Sequence, residues 1–164
     1  MIRTLAIGIL STLIIPAMLA CEKLPDPVVP DPSQEEQNGG QENKMPETIK
    51  ITISGKTLPV KIEDNEATKA LVASLREASI TYEAHDYGGF EKVGALGRSL
   101  PESDTQITTQ AGDVILYNSN QIVLFYGSNT WSYTRLGKMQ YESLDELKSF
   151  LKAGEGNCTV TLSL

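Results

Sequence analysis

The sequence is poor in the residues that most catalytic and metal sites need. It has one histidine, His85, and two cysteines, Cys21 and Cys158. A single imidazole without paired thiols excludes a conventional zinc site, which draws on His, Cys and carboxylate ligands together. A nucleophile–His–acid triad would have to use His85, and no Gly-x-Ser-x-Gly elbow accompanies it. There is no Walker loop and no dinucleotide fingerprint; YGGFEKVG reads as a loop, not a strand-to-helix phosphate cradle. Positive charge is also scarce, with 14 Lys and Arg against 21 Asp and Glu. No basic cluster occurs, so nucleic acid is not an expected partner. Neither a metal nor another cofactor is expected.

Long apolar runs are missing except at the start, MIRTLAIGILSTLIIPAMLAC. Arg3 supplies a short positive start, and Leu5 to Leu19 is almost wholly apolar. A spanning helix needs roughly 20 such residues, so this run is short for one. It ends in small Ala20 before Cys21, as secretory signal peptides end. It also resembles a bacterial lipoprotein signal, in which the cysteine is acylated and becomes the first residue. Met18 stands where leucine is usual in that pattern. Residues 1–20 are thus expected to be a signal peptide. Cys21 would carry the acyl chains, palmitate among them, that hold the protein to membrane lipid, each buried methylene contributing about 0.8 kcal/mol. With Cys21 acylated, Cys158 has no partner for an intrachain disulfide.

Residues 22–47 read as a disordered, acidic, Pro-rich tether. They hold five prolines, the pair Gly39-Gly40, and seven acids against Lys23 and Lys44. Almost nothing there is large and apolar, so nothing offsets the entropy of ordering. Such a chain reaches on the order of 30 Å. Residues 48–164 are nearly neutral by comparison and long enough for one core.

Within 48–164 the apolar period alternates. TIKITIS and TLPVKIE form a hairpin when Gly55-Lys56 is the turn, pairing Ile53 with Leu58, Ile51 with Val60 and Ile49 with Ile62. Pro59 places the second strand at an edge or a bulge. DNEATKALVASLRE reads as a helix capped by Asp64, with Ala67, Leu71, Ser74, Leu75 and Ala78 as its buried stripe. SITYEA is a strand, and HDYGGFEKVG breaks its pattern. DVILYNSNQIVLFYG is a hairpin around Asn118 to Asn120 whose arms are apolar on both faces, so both faces should be covered. NTWSYTRLGKM is another strand. SLDE is a capping box, Ser143 with Glu146, opening a helix with Leu144, Leu147, Phe150 and Leu151 on one side. CTVTLSL alternates Cys158, Val160, Leu162 and Leu164 inward, which makes Cys158 a buried, inert thiol. Runs of strands without βαβ alternation, seven or eight of them with two helices, predict a mostly β fold: a mostly antiparallel barrel with helices over its openings or sides.

GGFEKVG, AGDVILY, QIVLFYG and WSYTRLGKM, in this order and spacing, resemble a bacterial cyclophilin-like domain family. The opening hairpin, the DN…A…L…L helix and the terminal helix–strand fit as well, so the resemblance covers 48–164. It implies a closed eight-stranded barrel capped by helices. Members are often small lipoproteins or domains attached to flavodoxin-like proteins, so a flavodoxin-like protein is a candidate partner. The family carries no implied activity. True cyclophilins loosen a prolyl amide with an Arg beside Phe, Gln, His and Trp, and their Phe-His motif with its nearby Arg has no counterpart here.

The candidate binding residues follow from strand NTWSYTRLGKM, where Trp131, Tyr133 and Arg135 share one face. Arg135 could hold a peptide carbonyl or carboxylate, or pair with Glu91 or Asp113 and close the barrel end. Trp131 and Tyr133 fit either a groove or the core. Glu91 fits either a pocket rim or a solvated loop. Asp113 should fix its turn by a backbone hydrogen bond. The expected function is a lipid-anchored binding module for a peptide or small ligand in the bacterial cell envelope, on the outer membrane. The alternative is a peptidyl-prolyl isomerase with Arg135 as its electrophile.

Overall fold

A computed structural model describes residues 44–164. The expected signal peptide, Cys21 and the expected tether up to residue 43 lie outside the described residues. The last tether residues are docked. Met45 packs against the core, the Lys44 carbonyl accepts from Arg76, and the Glu47 carbonyl accepts from the Ile62 N–H.

The elements run β1 (Thr48–Ile53), β2 (Lys56–Ile62), α1 (Glu66–Glu77), β3 (Ile80–Tyr87), β4 (Glu91–Ala95), β5 (Thr105–Thr108), β6 (Asp113–Tyr117), β7 (Gln121–Phe125), β8 (Thr130–Met139), α2 (Leu144–Phe150) and β9 (Cys158–Ser163). All pairings are antiparallel, in the order β2-β1-β9-β3-β4-β7-β6-β8, and β8 pairs back to β2. This closes an eight-stranded barrel. The ninth strand, β5, pairs with residues 130–133 of β8, before the stretch that pairs with β6.

The first hairpin turns one residue earlier than the sequence predicts. Its turn is Ser54-Gly55, with φ of 50° and 76°, so Ile53 faces Lys56 and Ile49 faces Val60. Two successive positive φ values are those of a type I′ turn, whose twist matches that of the strands. The register moves by two residues, which preserves the buried face, and Lys50 faces Pro59 instead of Lys61. Nor is Pro59 on a free edge. It sits opposite Lys50, and its carbonyl accepts from the Gln140 N–H just past the β2–β8 ladder; with no N–H it cannot return that bond, and the ladder ends there.

Helix α1 is capped by Asn65 rather than Asp64, the Asn65 side chain accepting from the Thr68 N–H. Its buried face is Ala67, Thr68, Leu71, Val72 and Leu75; Ser74 and Ala78 lie off it. In α2, Ser143 accepts from the Glu146 N–H as a capping box requires, while the Glu146 carboxylate turns to the Glu142 N–H. Leu147, Phe150 and Leu151 are buried there, and Leu144 is exposed.

The barrel interior is lined from every side: Ile49, Ile51, Val60, Tyr82, Val114, Leu116, Ile122, Leu124, Leu136, Val160 and Leu162 join the apolar faces of both helices in one cluster. Cys158 belongs to it, and burial pushes its thiol pKa up, as an inert core thiol requires. A second, smaller cluster forms on the outer face of β4-β7-β6-β8, from Ile115, Val123, Phe125 and Tyr133 with Phe90, Val93, Ile107 and Tyr117. The doubly apolar hairpin β6–β7 divides its side chains between the two clusters.

Candidate functional site

HDYGGFEKVG, which breaks the sequence pattern, is not an extended loop. It finishes β3, turns through Gly88 and Gly89 at positive φ, and starts β4, with Tyr87 opposite Glu91 and His85 opposite Val93. Residues alternate across a strand. His85, Tyr87, Glu91 and Val93 therefore point outward, while Ala84, Asp86, Lys92 and Gly94 point inward. Lys92, with no exposed side-chain surface, meets Asp86 directly across the strands at 2.9 Å. Asp86 also accepts from Tyr126 Oη and from the Gly156 N–H. Burial alone would raise the Asp86 pKa; the Lys92, backbone and Tyr126 hydrogen bonds outweigh it and hold it below the usual carboxylate value.

Glu91 has no such partner. It is only 5% exposed, and its Oε2 is buried without a hydrogen-bond partner. Burial pushes its pKa up to about 7. The carboxylate lines an outer cleft of about 470 Å³, together with His85, Tyr87, Val93, Tyr117, Gln121, Val123, Asn129, Trp131 and Tyr133. Strands β3, β4, β7, β6 and β8 supply its walls, and neither Lys nor Arg lines it. Its Tyr117 and Tyr133 belong to an aromatic row of the outer cluster. Phe90 stacks on Phe125 at 6.3 Å, Phe125 meets Tyr133 edge-on at 5.8 Å, and Tyr133 meets Tyr117 edge-on at 5.8 Å. Asn129 donates to Tyr133 Oη, and burial raises the Tyr133 pKa. Tyr87 and Trp131 are open to solvent, at 62% and 58% exposure.

Of the four candidates from sequence, Glu91, Trp131 and Tyr133 meet in this cleft. Tyr133 does so from a buried position and Trp131 from an exposed one. Arg135 does not line it. It keeps the outer face of β8, and a bulge follows just past it: Ile115 pairs with Arg135 but its neighbour Val114 pairs with Gly137, so one extra residue enters β8. Arg135 and Lys138, three apart, thereby reach the same side. Both bind the buried Asp113 carboxylate, at 3.1 and 3.2 Å, and Arg135 also lies 3.8 Å from Glu63. Asp113 holds its turn through the Gln110 N–H as well.

Sequence reasoning missed His85, Tyr87 and Gln121 as wall residues. The available signal was alternation continuing past Ala84: read through Tyr87 and resumed at Glu91, it puts His85, Tyr87 and Glu91 on one face. Among the described residues, no His, Cys, Asp and Glu cluster suits a metal ion, and no helix is long and apolar enough to cross a membrane.

A model described as the cyclophilin-like family matches residues 51–163. No curated protein matches. Among solved structures, one of McbB in complex with tryptophan is similar, with 13% identity and a TM-score of 0.50 over 70% of this chain. This chain spans 44% of the McbB chain, and the likeness is one of fold alone.

Proposed function

The chain belongs to the cyclophilin-like family, and from that premise we propose that it is a binding module, held on the bacterial cell envelope by acylated Cys21, whose ligand enters the Glu91 cleft. The observation that carries the reading is the unpartnered carboxylate of Glu91 beneath two exposed rings, Tyr87 and Trp131. Leaving a buried acceptor unmet costs about 1–3 kcal/mol, a cost that a ligand donor removes. Concave, largely apolar sites with a few polar groups are where peptides and small molecules bind. The tether of residues 22–43 would carry the module away from the lipid surface, on the outer membrane in this reading, within reach of a soluble ligand or a flavodoxin-like protein.

Titration of the ¹⁵N-labelled chain with peptides and small amphiphiles tests the site. Shifts should gather at residues 85–93, 117–123 and 129–133. Saturable shifts confined to the helices or the first hairpin would remove the site. Mass spectrometry of the membrane fraction tests the anchor: the expected mature chain begins at an acylated Cys21, and Cys21→Ala should release it. Prolyl isomerisation is the weaker reading, because Arg135, its required electrophile, is held by Asp113 and Glu63 outside the cleft. Exchange spectroscopy on a Xaa-Pro peptide should show no acceleration at high protein concentration.

A further inference from the structure

The cleft has a charge character that narrows its ligand. Its buried carboxylate meets no cation of the described residues: Lys92, the next residue, points into the barrel and is taken by Asp86. Arg135 and Lys138 are both taken by Asp113. The groups facing Glu91 are His85 and Tyr87 on β3, Tyr117 on β6 and Tyr133 on β8, with Tyr126 close enough to feel its charge. Aromatic rings present electron-rich faces, which attract cations and repel anions. The ionised Glu91 carboxylate also accepts hydrogen bonds without donating any. An ammonium supplies both a positive charge and N–H donors. A carboxylate or phosphate supplies neither.

Resting on the cleft as the binding site, we propose that its ligand is a protonated amine on an aromatic or apolar body. The ammonium sits against Glu91, and the body lies on the exposed rings of Tyr87 and Trp131. This is a choice of ligand class within the module's proposed role. It requires the ionised form of Glu91, so amine binding takes up a deprotonated carboxylate and lowers its pKa from about 7. Affinity for an amine protonated throughout must then rise with pH across neutrality. A ligand that instead accepted a hydrogen bond from neutral Glu91 would bind more tightly as pH falls.

Trp131 is the only tryptophan of the chain and lines the cleft, so its emission reports occupancy without a label. The full chain is titrated with 2-phenylethylamine, and with 2-phenylethanol and 3-phenylpropanoate as its neutral and anionic counterparts. The amine should quench or shift Trp131 emission saturably and bind about tenfold or more tightly at pH 8 than at pH 5.5. Glu91→Gln should weaken the amine about tenfold and change the alcohol far less. The pH profile of the unaltered chain draws the same distinction without a variant. Equal or tighter binding of the alcohol or the propanoate, or affinity that climbs on acidification, overturns the amine while the cleft stands. If none of the three moves Trp131 or the backbone resonances of residues 85–93, amine and cleft fall together.

Discussion

Glu91 and Lys92 are neighbours on β4, both charged and both buried, yet they live on opposite faces of one sheet and in opposite circumstances. Lys92 points into the barrel, where Asp86, Gly156 and the helix-covered core close around it. Glu91 points out into a cleft whose walls contain no Lys or Arg. A buried charge that is paired belongs to the architecture. A buried charge left unpaired destabilises the fold, and such groups gather where something else is to be bound. The strand's two-residue period is what sorts adjacent charges into these two roles.

The largest effect should come from breaking the paired side. Lys92→Ala leaves the Asp86 carboxylate short of its cation and opens a void, at a cost of about 3–5 kcal/mol in urea unfolding at pH 7. A loss below about 1 kcal/mol would mean that Tyr126 and the Gly156 N–H satisfy Asp86 unaided. Because the Asp86 pKa is depressed in the fold, its contribution is present above the ordinary aspartate value and lost as pH falls through that range. In Lys92→Ala that acid-side loss should shrink.

The unpaired side has the reverse sign. Glu91 is raised from 4.5 to about 7, so the folded chain holds a proton there that the unfolded chain has already released. Stability from this group is fully present below about 4.5 and declines as pH rises to about 7. Glu91→Gln removes the buried charge and should stabilise the chain by about 2 kcal/mol at pH 8, with no gain at pH 4.5. Unfolding midpoints measured across that range check the slope. A variant destabilised equally at both pH values would show that the carboxylate is partnered after all. The gain in stability and the loss of amine binding in one variant would be the trade expected of a site kept for function.

The barrel itself was legible in sequence because alternation is a property of every strand. Ile49, Ile51 and Ile53, and later Val160 and Leu162, declare their face whatever their neighbours are. The predicted β1–β2 register missed by two residues and still buried the right side, since a two-residue slip preserves the pleat. The site was legible only in part. Gly88-Gly89 reads as a chain break, but with only Phe90 between it and Glu91 it is the short turn of a hairpin, and so Glu91 was open to a loop reading. Arg135 was placed with Trp131 and Tyr133 by strand period. That placement holds for the face, but the β8 bulge brings Lys138 round to the same side, and Asp113 engages both cations. A bulge depends on the partner strand, and one strand's own residues do not announce it.

The smallest stability effect should come from the rim. Trp131 is 58% exposed and rests opposite Ile107 on β5, outside the closed ring of eight strands. Removing an exposed side chain from such a pair costs little, so Trp131→Ala should change stability by about 0.5 kcal/mol or less. Its effect should fall on binding instead. With the ring gone the amine keeps the Glu91 carboxylate but loses part of the surface for its body. Amide shifts at residues 85–93 should then report weaker binding with an unaltered pH slope, because Glu91 still titrates. A Trp131→Ala chain that unfolds easily would make this ring a structural buttress. One that binds unchanged would leave Tyr87 as the sole exposed wall. The slope thus separates what the carboxylate contributes from what the rings contribute.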